Sequence, residues 1–132
     1  MVHQLYSDGA ARGNPGKAGI GIVIKDQNGK NILELGDHIG ETTNNVAEYS
    51  ALIRGLEEAI DMQIKELNAF ADSELMVKQI NGEYRVKNQG LIPLYNEAKI
   101  LIKRFHKFKI YHRNREDNQE ADNLANQALD RL

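Results

Sequence analysis

The stretch of sequence that decides the fold is residues 3–25, HQLYSDGAARGNPGKAGIGIVIK. Its first part, His3–Ser7, alternates loosely between apolar and polar residues and predicts a short strand. The segment Ser7–Gly16 is dense in glycine, asparagine and proline and predicts a loop. Ala18–Lys25 is rich in β-branched residues and predicts a second strand, with glycines where close packing is expected. A short loop between two strands is typical of an antiparallel pair.

The rest of the chain predicts one more antiparallel strand and then alternating helices and strands. After a turn at Asp26–Gly29, the alternating segment Asn31–Ile39 predicts a third strand. The later segments predict, in order, a helix over Asn45–Met62, a strand over Lys65–Ala71, a short helix ending near Ile80, a helix over Leu91–His106, a strand over Lys107–His112 and a helix over Asn118–Leu132. The order βββαβααβα predicts an α/β fold with a mixed five-stranded sheet, three antiparallel strands followed by parallel strands, and helices on its faces.

Length and composition restrict the class of protein. A chain of 132 residues is expected to form a single domain over residues 1–132. The absence of cysteine excludes disulfides, thiolate zinc sites and cysteine nucleophiles. No apolar run approaches the length of a membrane span and the first residues do not form a secretory signal, so we expect a cytoplasmic protein with no membrane association. Nothing indicates an obligate protein partner, and we expect a monomer.

The net charge of −2 conceals an uneven distribution. The segment Lys99–Arg115 contains seven Lys or Arg residues, two His residues and no acidic residue. Such a basic stretch can contact a polyanion locally even on a mildly acidic protein. It is also typical of a solvated helix face, and the sequence leaves both interpretations open.

Four acidic residues stand where strands are predicted to end or helices to begin: Asp8, Glu48, Asp72 and Asp122. Each has a purely structural interpretation. Asp8 fits a turn, Glu48 fits a capping box with Asn45 as N-cap, Asp72 fits a helix cap, and Asp122 fits the positive end of a helix dipole. If the first and fourth strands are neighbours, however, the acids converge on one point. Such a cluster persists only with raised pKa values or with cations between the acids, and oxygen ligands without cysteine favour Mg²⁺ or Mn²⁺.

Glycine and short polar residues flank two of these acids. They include Gly9, Gly13, Asn14, Gly16, Thr42, Thr43, Asn44 and Asn45. Bare backbone amides and short polar side chains allow close approach of a phosphate or a ribose. The same residue types are common in turns and helix caps, so the pattern alone does not decide between these roles.

Four segments that carry the acids resemble the four sequence blocks of the type 1 ribonuclease H family, in that family's order and spacing. They are YSDGAARGNPGKAGIG (6–21), TTNNVAEYSAL (42–52), FADSELMVKQI (70–80) and REDNQEADNLAN (115–126). The resemblance spans most of the chain and implies the ribonuclease H fold. It also implies a metal-dependent endoribonuclease that hydrolyses the RNA strand of RNA–DNA hybrids by two-metal-ion catalysis and leaves 5′-phosphate and 3′-hydroxyl ends.

The resemblance implies a role for individual residues. The family's catalytic carboxylates, which hold two Mg²⁺ or Mn²⁺ ions, are matched by Asp8, Glu48, Asp72 and Asp122. Its hybrid-contacting positions are matched by Arg12, Gly13, Asn14, Thr43, Asn44 and Asn45. Such contacts would sense RNA 2′-hydroxyl groups and, at Thr43, a phosphate of the DNA strand. His112 matches a mobile histidine that assists proton movement or product release, with Arg113 or Arg115 as substitutes.

Two features depart from the family pattern. The segment NGEYRVKNQGL (81–91) stands where better-known bacterial members carry a basic, tryptophan-containing protrusion, and this chain has no tryptophan. Fewer phosphate contacts would weaken hybrid binding and its salt dependence. Glu74 occupies a position where the family often has a glutamine that contacts the hybrid, and an acid there would repel phosphate unless it points away. These departures keep two alternatives open: a hybrid-binding module that cuts poorly, and a related nuclease acting on another nucleic acid.

Overall fold

The N-terminal third of the chain forms an antiparallel meander whose middle segment, Ala18–Lys25, is rich in β-branched residues. The computed structural model describes residues 1–132. Its first three strands are β1 (His3–Gly13), β2 (Gly16–Lys25) and β3 (Asn31–Thr42). β1 pairs with β2 as far as Gly13, which lies opposite Gly16, and β2 pairs with β3. All three strands therefore belong to one continuous antiparallel ladder.

Two parallel strands extend this meander on its other side. β4 (Glu66–Ala71) pairs with β1, and β5 (Lys107–His112) pairs with β4. The sheet has five strands in the order β3-β2-β1-β4-β5, so β1 lies at its centre and β5 at one edge. The mixed sheet and its helices confirm the predicted α/β fold class and order of elements.

Four α-helices connect the strands and cover the sheet. They are α1 (Asn44–Asp61), α2 (Glu74–Ile80), α3 (Ile92–Ile102) and α4 (Gln119–Asp130), the last preceded by a 3₁₀ turn over Arg115–Asn118. α1 packs against β1 and β2 with α3 beside it, whereas α4 packs against β1, β2 and β3. None of the helices combines the length and the apolar character needed to cross a bilayer.

The main core lies between the sheet and α1. Leu5 and Ile22 from the sheet and Leu52 and Leu56 from α1 are fully buried there. Burial of each such side chain contributes about 1.5–3 kcal/mol. The core therefore fixes α1, which carries Glu48, against β1, which carries Asp8.

The loop predicted over Ser7–Gly16 is wrong. β1 continues through this segment to Gly13, and only Asn14 and Pro15 lie between the two paired strands. A high glycine content is usually a loop signal, but here Gly9 is needed where a helix approaches the strand backbone. Gly9 therefore marks close packing of a helix on the strand rather than a break in it, whereas Gly13 and Gly16 flank the two-residue turn.

Two predicted ends also differ from the structure. β3 continues beyond Ile39 to Thr42, because it follows β2 to the end of the ladder. α3 ends at Ile102 rather than at His106. The backbone amide of His106 donates instead to the carbonyl of Lys65 at 2.8 Å, which turns the chain into β5 beside β4.

Candidate active site

The pairing of β1 with β4 brings two of the predicted acids together. Ser7 lies opposite Ala71 in the parallel ladder, so Asp8 and Asp72 follow at the same level of the sheet. Asp8 lies within β1 rather than at its end, and its turn interpretation is therefore wrong. The helix-cap interpretation of Asp72 is also wrong, because the hydroxyl of Ser73 caps α2 by accepting from the amide of Met76 at 3.2 Å.

The close approach of α1 to β1 brings in the third acid. A Cβ atom on Gly9 would overlap the backbone carbonyl of Ala47, so only glycine permits this contact. The Gly9 amide donates to Oε1 of Glu48 at 2.9 Å and holds that carboxylate over the strand. The predicted capping box is wrong: Thr43 is the N-cap, and its Oγ1 accepts from the amide of Val46 at 3.2 Å.

The three acids form a tight cluster. One carboxylate oxygen each from Asp8, Glu48 and Asp72 lies within 4.8 Å of the other two. Asp8 is only 3% exposed, and its Oδ2 has no hydrogen-bond partner. Burial, followed by the charge of Asp72 and by Asp122, raises the pKa of Asp8 to about 9. Burial, followed by the charges of Asp8 and Asp72, raises the pKa of Glu48 well above its ordinary value.

This donor set fits a hard divalent cation. All its ligand atoms are carboxylate oxygens, which Mg²⁺ and Mn²⁺ prefer. The Oδ2 of Asp8 is a buried acceptor without a partner, whereas buried polar atoms in proteins normally have one. A cation would both occupy that acceptor and remove the mutual repulsion that raises the two pKa values.

Asp122 reaches the cluster from the opposite face of the sheet. A Cβ atom on Gly21 would overlap the backbone carbonyl of Ala121, so α4 rests directly on β2. Asp122 is close enough to Asp8 to raise its pKa, but it stands outside the group of three. Its Oδ1 lies 3.6 Å from Nε of Arg115 and accepts from Nδ2 of Asn126 at 3.3 Å. Its position in the first turn of α4 also agrees with the predicted interaction with the helix dipole.

Two predicted hybrid-contacting residues connect the β1–β2 hairpin to α1. Oδ1 of Asn44 accepts from the Ala11 amide at 2.8 Å, and Oδ1 of Asn14 accepts from the Asn44 amide at 3.1 Å. The oxygen atoms of both side chains therefore bond within the protein, and the NH₂ groups remain as the hydrogen-bond donors of these side chains. Gly13 has a φ of +97°, a conformation that favours glycine.

A cleft of about 500 Å³ opens above the acidic cluster. Its lining residues are Asp8, Gly9, Ala10, Ala11, Asn44, Glu48, Asp72, His112, Asn114 and Arg115. The predicted His112 and its possible substitute Arg115 therefore both lie at the cleft. Asn114 was missed by the sequence reasoning, because a single asparagine between two basic residues carries no motif.

Other predicted residues lie outside this lining. Thr43, the N-cap of α1, and Asn45, in its first turn, do not line the cleft. The guanidinium of Arg12 turns away to Oδ1 of Asp130 at 2.6 Å, which leaves only its backbone near the hairpin tip. The Glu74 side chain is 62% exposed and lies 4.0 Å from Nζ of Lys78. Glu74 therefore does not join the acidic cluster. Its carboxylate points away, so it does not add a fifth negative charge to the centre of the cluster.

Comparisons with known proteins agree with this arrangement. The sequence profile described as Reverse transcriptase-like matches residues 6–128. Ribonuclease HI of Halobacterium salinarum is 43% identical over 129 residues, which are 98% of this chain. The chain spans 64% of the length of that protein and 35% of the length of relatives from Mycobacterium tuberculosis.

Solved structures give the same result. The crystal structure of RNase H1 from Halobacterium salinarum has a TM-score of 0.97 and 40% identity, and the match covers 100% of both chains. LC11-RNase H1, isolated from compost and solved in complex with an RNA/DNA hybrid, has a TM-score of 0.92 and 43% identity over 98% of this chain and 97% of that one. Because the profile match and these likenesses extend over nearly the whole sequence, we conclude that this chain belongs to the type 1 ribonuclease H family.

Proposed function

We propose that the protein is a metal-dependent endoribonuclease that hydrolyses the RNA strand of RNA–DNA hybrids and leaves 5′-phosphate and 3′-hydroxyl ends. The observation that carries this proposal is the cluster of Asp8, Glu48 and Asp72, with Asp8 buried, at the floor of an open cleft. Relatives named ribonuclease H and the hybrid complex of LC11-RNase H1 support the choice of substrate.

Three acidic residues of the cleft, together with Asp122 beside them, would hold the metal. Asp8, Glu48, Asp72 and Asp122 would together bind two Mg²⁺ or Mn²⁺ ions. When bound, such ions stabilise charge on a phosphoryl group and lower the pKa of an attacking water. The Gly9 amide keeps Glu48 in one orientation, so that this carboxylate is positioned before any ion or substrate arrives.

The rim of the cleft supplies groups that can move a proton and contact the phosphate. His112 is exposed at the cleft, and an imidazole is the side chain most often used for general acid–base catalysis. We propose that it takes up a proton on one ring nitrogen as water attacks and returns it to the departing 3′ oxygen. Arg115 lies beside it with a guanidinium that can contact a phosphate oxygen.

The hairpin and the start of α1 would recognise the RNA strand. The NH₂ groups of Asn14 and Asn44 and the backbone of Arg12 and Gly13 are available as contacts to a ribose. Recognition of 2′-hydroxyl groups distinguishes RNA from DNA without reading base sequence. The proposed specificity is therefore for hybrid geometry rather than for a sequence.

The test compares three substrates. End-labelled RNA–DNA hybrid, RNA duplex and DNA duplex are incubated with the protein in EDTA, Mg²⁺ or Mn²⁺. The proposal predicts cleavage of the hybrid alone, only with a divalent ion, and loss of cleavage in Asp8→Asn. Preferential cleavage of DNA or RNA duplex would contradict it.

One observation favours a second candidate function, a hybrid-binding module with weak turnover. The segment 81–91 replaces a basic protrusion with only two basic residues, Arg85 and Lys87. Tight hybrid binding by the wild-type protein, with negligible cleavage in every divalent ion, would support this second function over the first.

A further inference from the structure

The edge strand β5 presents a regular pattern on one face of the sheet. Because side chains alternate along a strand, Lys107, Lys109, Tyr111 and then Arg113 point to the same side. In the parallel ladder Lys107 lies opposite Glu66, Lys109 opposite Asn68 and Tyr111 opposite Phe70. α4 packs on this side of the sheet against β1, β2 and β3. The part of the face formed by β4 and β5 is therefore the part that α4 leaves open.

Three aromatic rings cross this face. Tyr6 stacks on Phe70 with ring centroids 4.9 Å apart, and Phe70 stacks on Tyr111 at 5.5 Å, with interplanar angles of 21° and 22°. Phe70 is buried, whereas Tyr111 is 39% exposed. Because β5 is the edge strand, no further strand lies beyond the Tyr111 ring. The row therefore ends in an aromatic ring that is open to a ligand.

The charges around this ring are mostly positive and weakly compensated. Lys109 is exposed and forms no ion pair within the protein, while Nζ of Lys107 lies 3.9 Å from Glu66. Glu66 is already paired with the amino group of Met1 at 2.9 Å. The Arg113 guanidinium lies 4.7 Å from the Phe70 ring centroid and has no carboxylate partner. Glu116 and Asp117 lie beyond Tyr6, where they line a separate cavity.

We propose that this face, the β5 platform (Lys107, Lys109, Tyr111 and Arg113), binds a single-stranded polynucleotide. A base would stack on Tyr111, and the three cationic side chains would contact the phosphates. Aromatic rings that stack bases, combined with a basic track for the backbone, are the usual means of binding single strands without sequence preference. The platform thereby assigns part of the basic segment Lys99–Arg115 to contacts with the phosphates of a single strand. The cleft alone does not explain these basic residues.

The platform is continuous with the cleft. Arg113 directly follows His112, which lines the cleft, and Asn114 and Arg115 line it on the other side of Arg113. A single-stranded RNA extension of a hybrid could therefore pass from the cleft onto β5. The path of such an extension rests on the proposed function, hybrid cleavage. Binding of a free single strand to the platform does not depend on it.

The test is a binding titration in EDTA at low salt. The probe is a fluorescein-labelled, unstructured single-stranded RNA of roughly 12 nucleotides, followed by fluorescence anisotropy. The variants are Tyr111→Leu, which keeps an apolar side chain but removes the ring, Tyr111→Phe, which keeps the ring, and the double variant Lys107→Gln/Lys109→Gln. The matched control is Lys65→Gln/Lys103→Gln, which removes the same charge from exposed positions outside the platform.

We expect Tyr111→Leu to raise Kd about tenfold and Tyr111→Phe to leave it nearly unchanged. The Lys107→Gln/Lys109→Gln variant should raise Kd about tenfold and reduce the slope of log K against log salt by roughly one to two. The control variant should change Kd much less. No binding by the wild-type protein, or equal losses in the platform and control variants, would overturn the proposal.

Cleavage assays separate this proposal from the proposed function. A blunt hybrid should be cut equally by the wild-type protein and by all four platform and control variants. A hybrid with a single-stranded RNA extension should show a raised KM in Tyr111→Leu and in Lys107→Gln/Lys109→Gln, but not in Tyr111→Phe or in the control variant. Single-strand binding without any hybrid cleavage would contradict the proposed function but support the β5 platform. Hybrid cleavage without single-strand binding would support the proposed function but contradict the platform.

Discussion

Two helices, α1 and α4, each pack closely against a glycine of a strand, and each carries an acidic residue of the site. The two acidic residues differ in the groups that hold them in place. At Gly9, α1 delivers Glu48, which is partly buried and accepts from a strand amide at 2.9 Å. At Gly21, α4 delivers Asp122, which is held by side chains: Arg115 at 3.6 Å and Asn126 at 3.3 Å. A backbone amide in a central strand cannot move independently of the sheet, but an exposed arginine can. The difference indicates a fixed half of the site on α1 and an adjustable half on α4.

The largest expected effect separates these two halves directly. Glu48→Gln removes a charge from the fixed cluster and should reduce hybrid cleavage roughly 10³-fold or more, a loss typical of a pre-organised electrostatic group. Asp122→Asn should reduce it by roughly 10–100-fold, because the remaining three acids stay clustered. Single-turnover cleavage rates at saturating Mg²⁺ measure both losses. Equal losses would contradict the distinction between a fixed and an adjustable half.

The second effect concerns the glycine contacts themselves. Gly9→Ala places a methyl group into the Ala47 carbonyl, so α1 must move, and we expect a loss of about 2–4 kcal/mol in the free energy of unfolding. Cleavage should fall further than stability alone explains, because Glu48 moves with α1. Urea denaturation and cleavage rates check this. Gly90→Ala is the matched control, since its new methyl group would meet only a flexible exposed side chain and should change little.

The third effect is a pH dependence of stability without metal. The folded-state pKa of Asp8 is raised to about 9 from an ordinary value near 3.8, so the protonated form favours folding. Stability from this group is present below its ordinary pKa and is lost as pH rises toward 9. In EDTA, the melting temperature should therefore fall between pH 5 and pH 9 by about 4 °C or more. Asp8→Asn should flatten this dependence and melt higher at pH 8 than the wild type, as removal of an unpaired buried charge predicts.

The smallest effect tests the adjustable half alone. Arg115→Gln removes an exposed contact to Asp122 and should cost less than about 1 kcal/mol of stability, because exposed ion pairs contribute little. Cleavage should fall a few-fold, since Asp122 loses one of its two partners. Arg54→Gln, which breaks an ion pair with Glu58 on α1, is the control and should leave cleavage unchanged. Equal cleavage by the two variants would show that Arg115 does not position Asp122.

Much of the fold could be predicted from the sequence, because period and turn chemistry are local properties. The order of elements and the mixed sheet followed from alternation and helical spacing. The extension of β1 through Ser7–Gly16 could not be predicted, because Gly9 is required by the approach of α1, which lies far away in sequence. The end of α3 was missed for a similar reason, since the Lys65 carbonyl that captures His106 belongs to another segment.

The site could be predicted in part. Asp8 and Asp72 were expected to meet if their strands were neighbours, and the parallel pairing of β1 with β4 makes them so. The partner of Glu48 could not be predicted, because a capping box and a bond to Gly9 leave the same local sequence pattern. The place of Asn114 in the cleft and the outward turn of Glu74 both depend on side-chain directions that no motif encodes.

The central claim is that the Asp8–Glu48–Asp72 cluster is a cation site, and calorimetric titration of Mn²⁺ into the protein tests it most directly. Titrations at pH 8 in buffers of different ionisation enthalpy report both the binding and the protons released. Because burial and mutual repulsion raise the pKa of Asp8 and of Glu48, binding should release protons from the wild-type protein. Binding should be weakened at least tenfold in Asp8→Asn, with less proton release. Absence of Mn²⁺ binding, or identical binding and proton release in the two proteins, would contradict the claim.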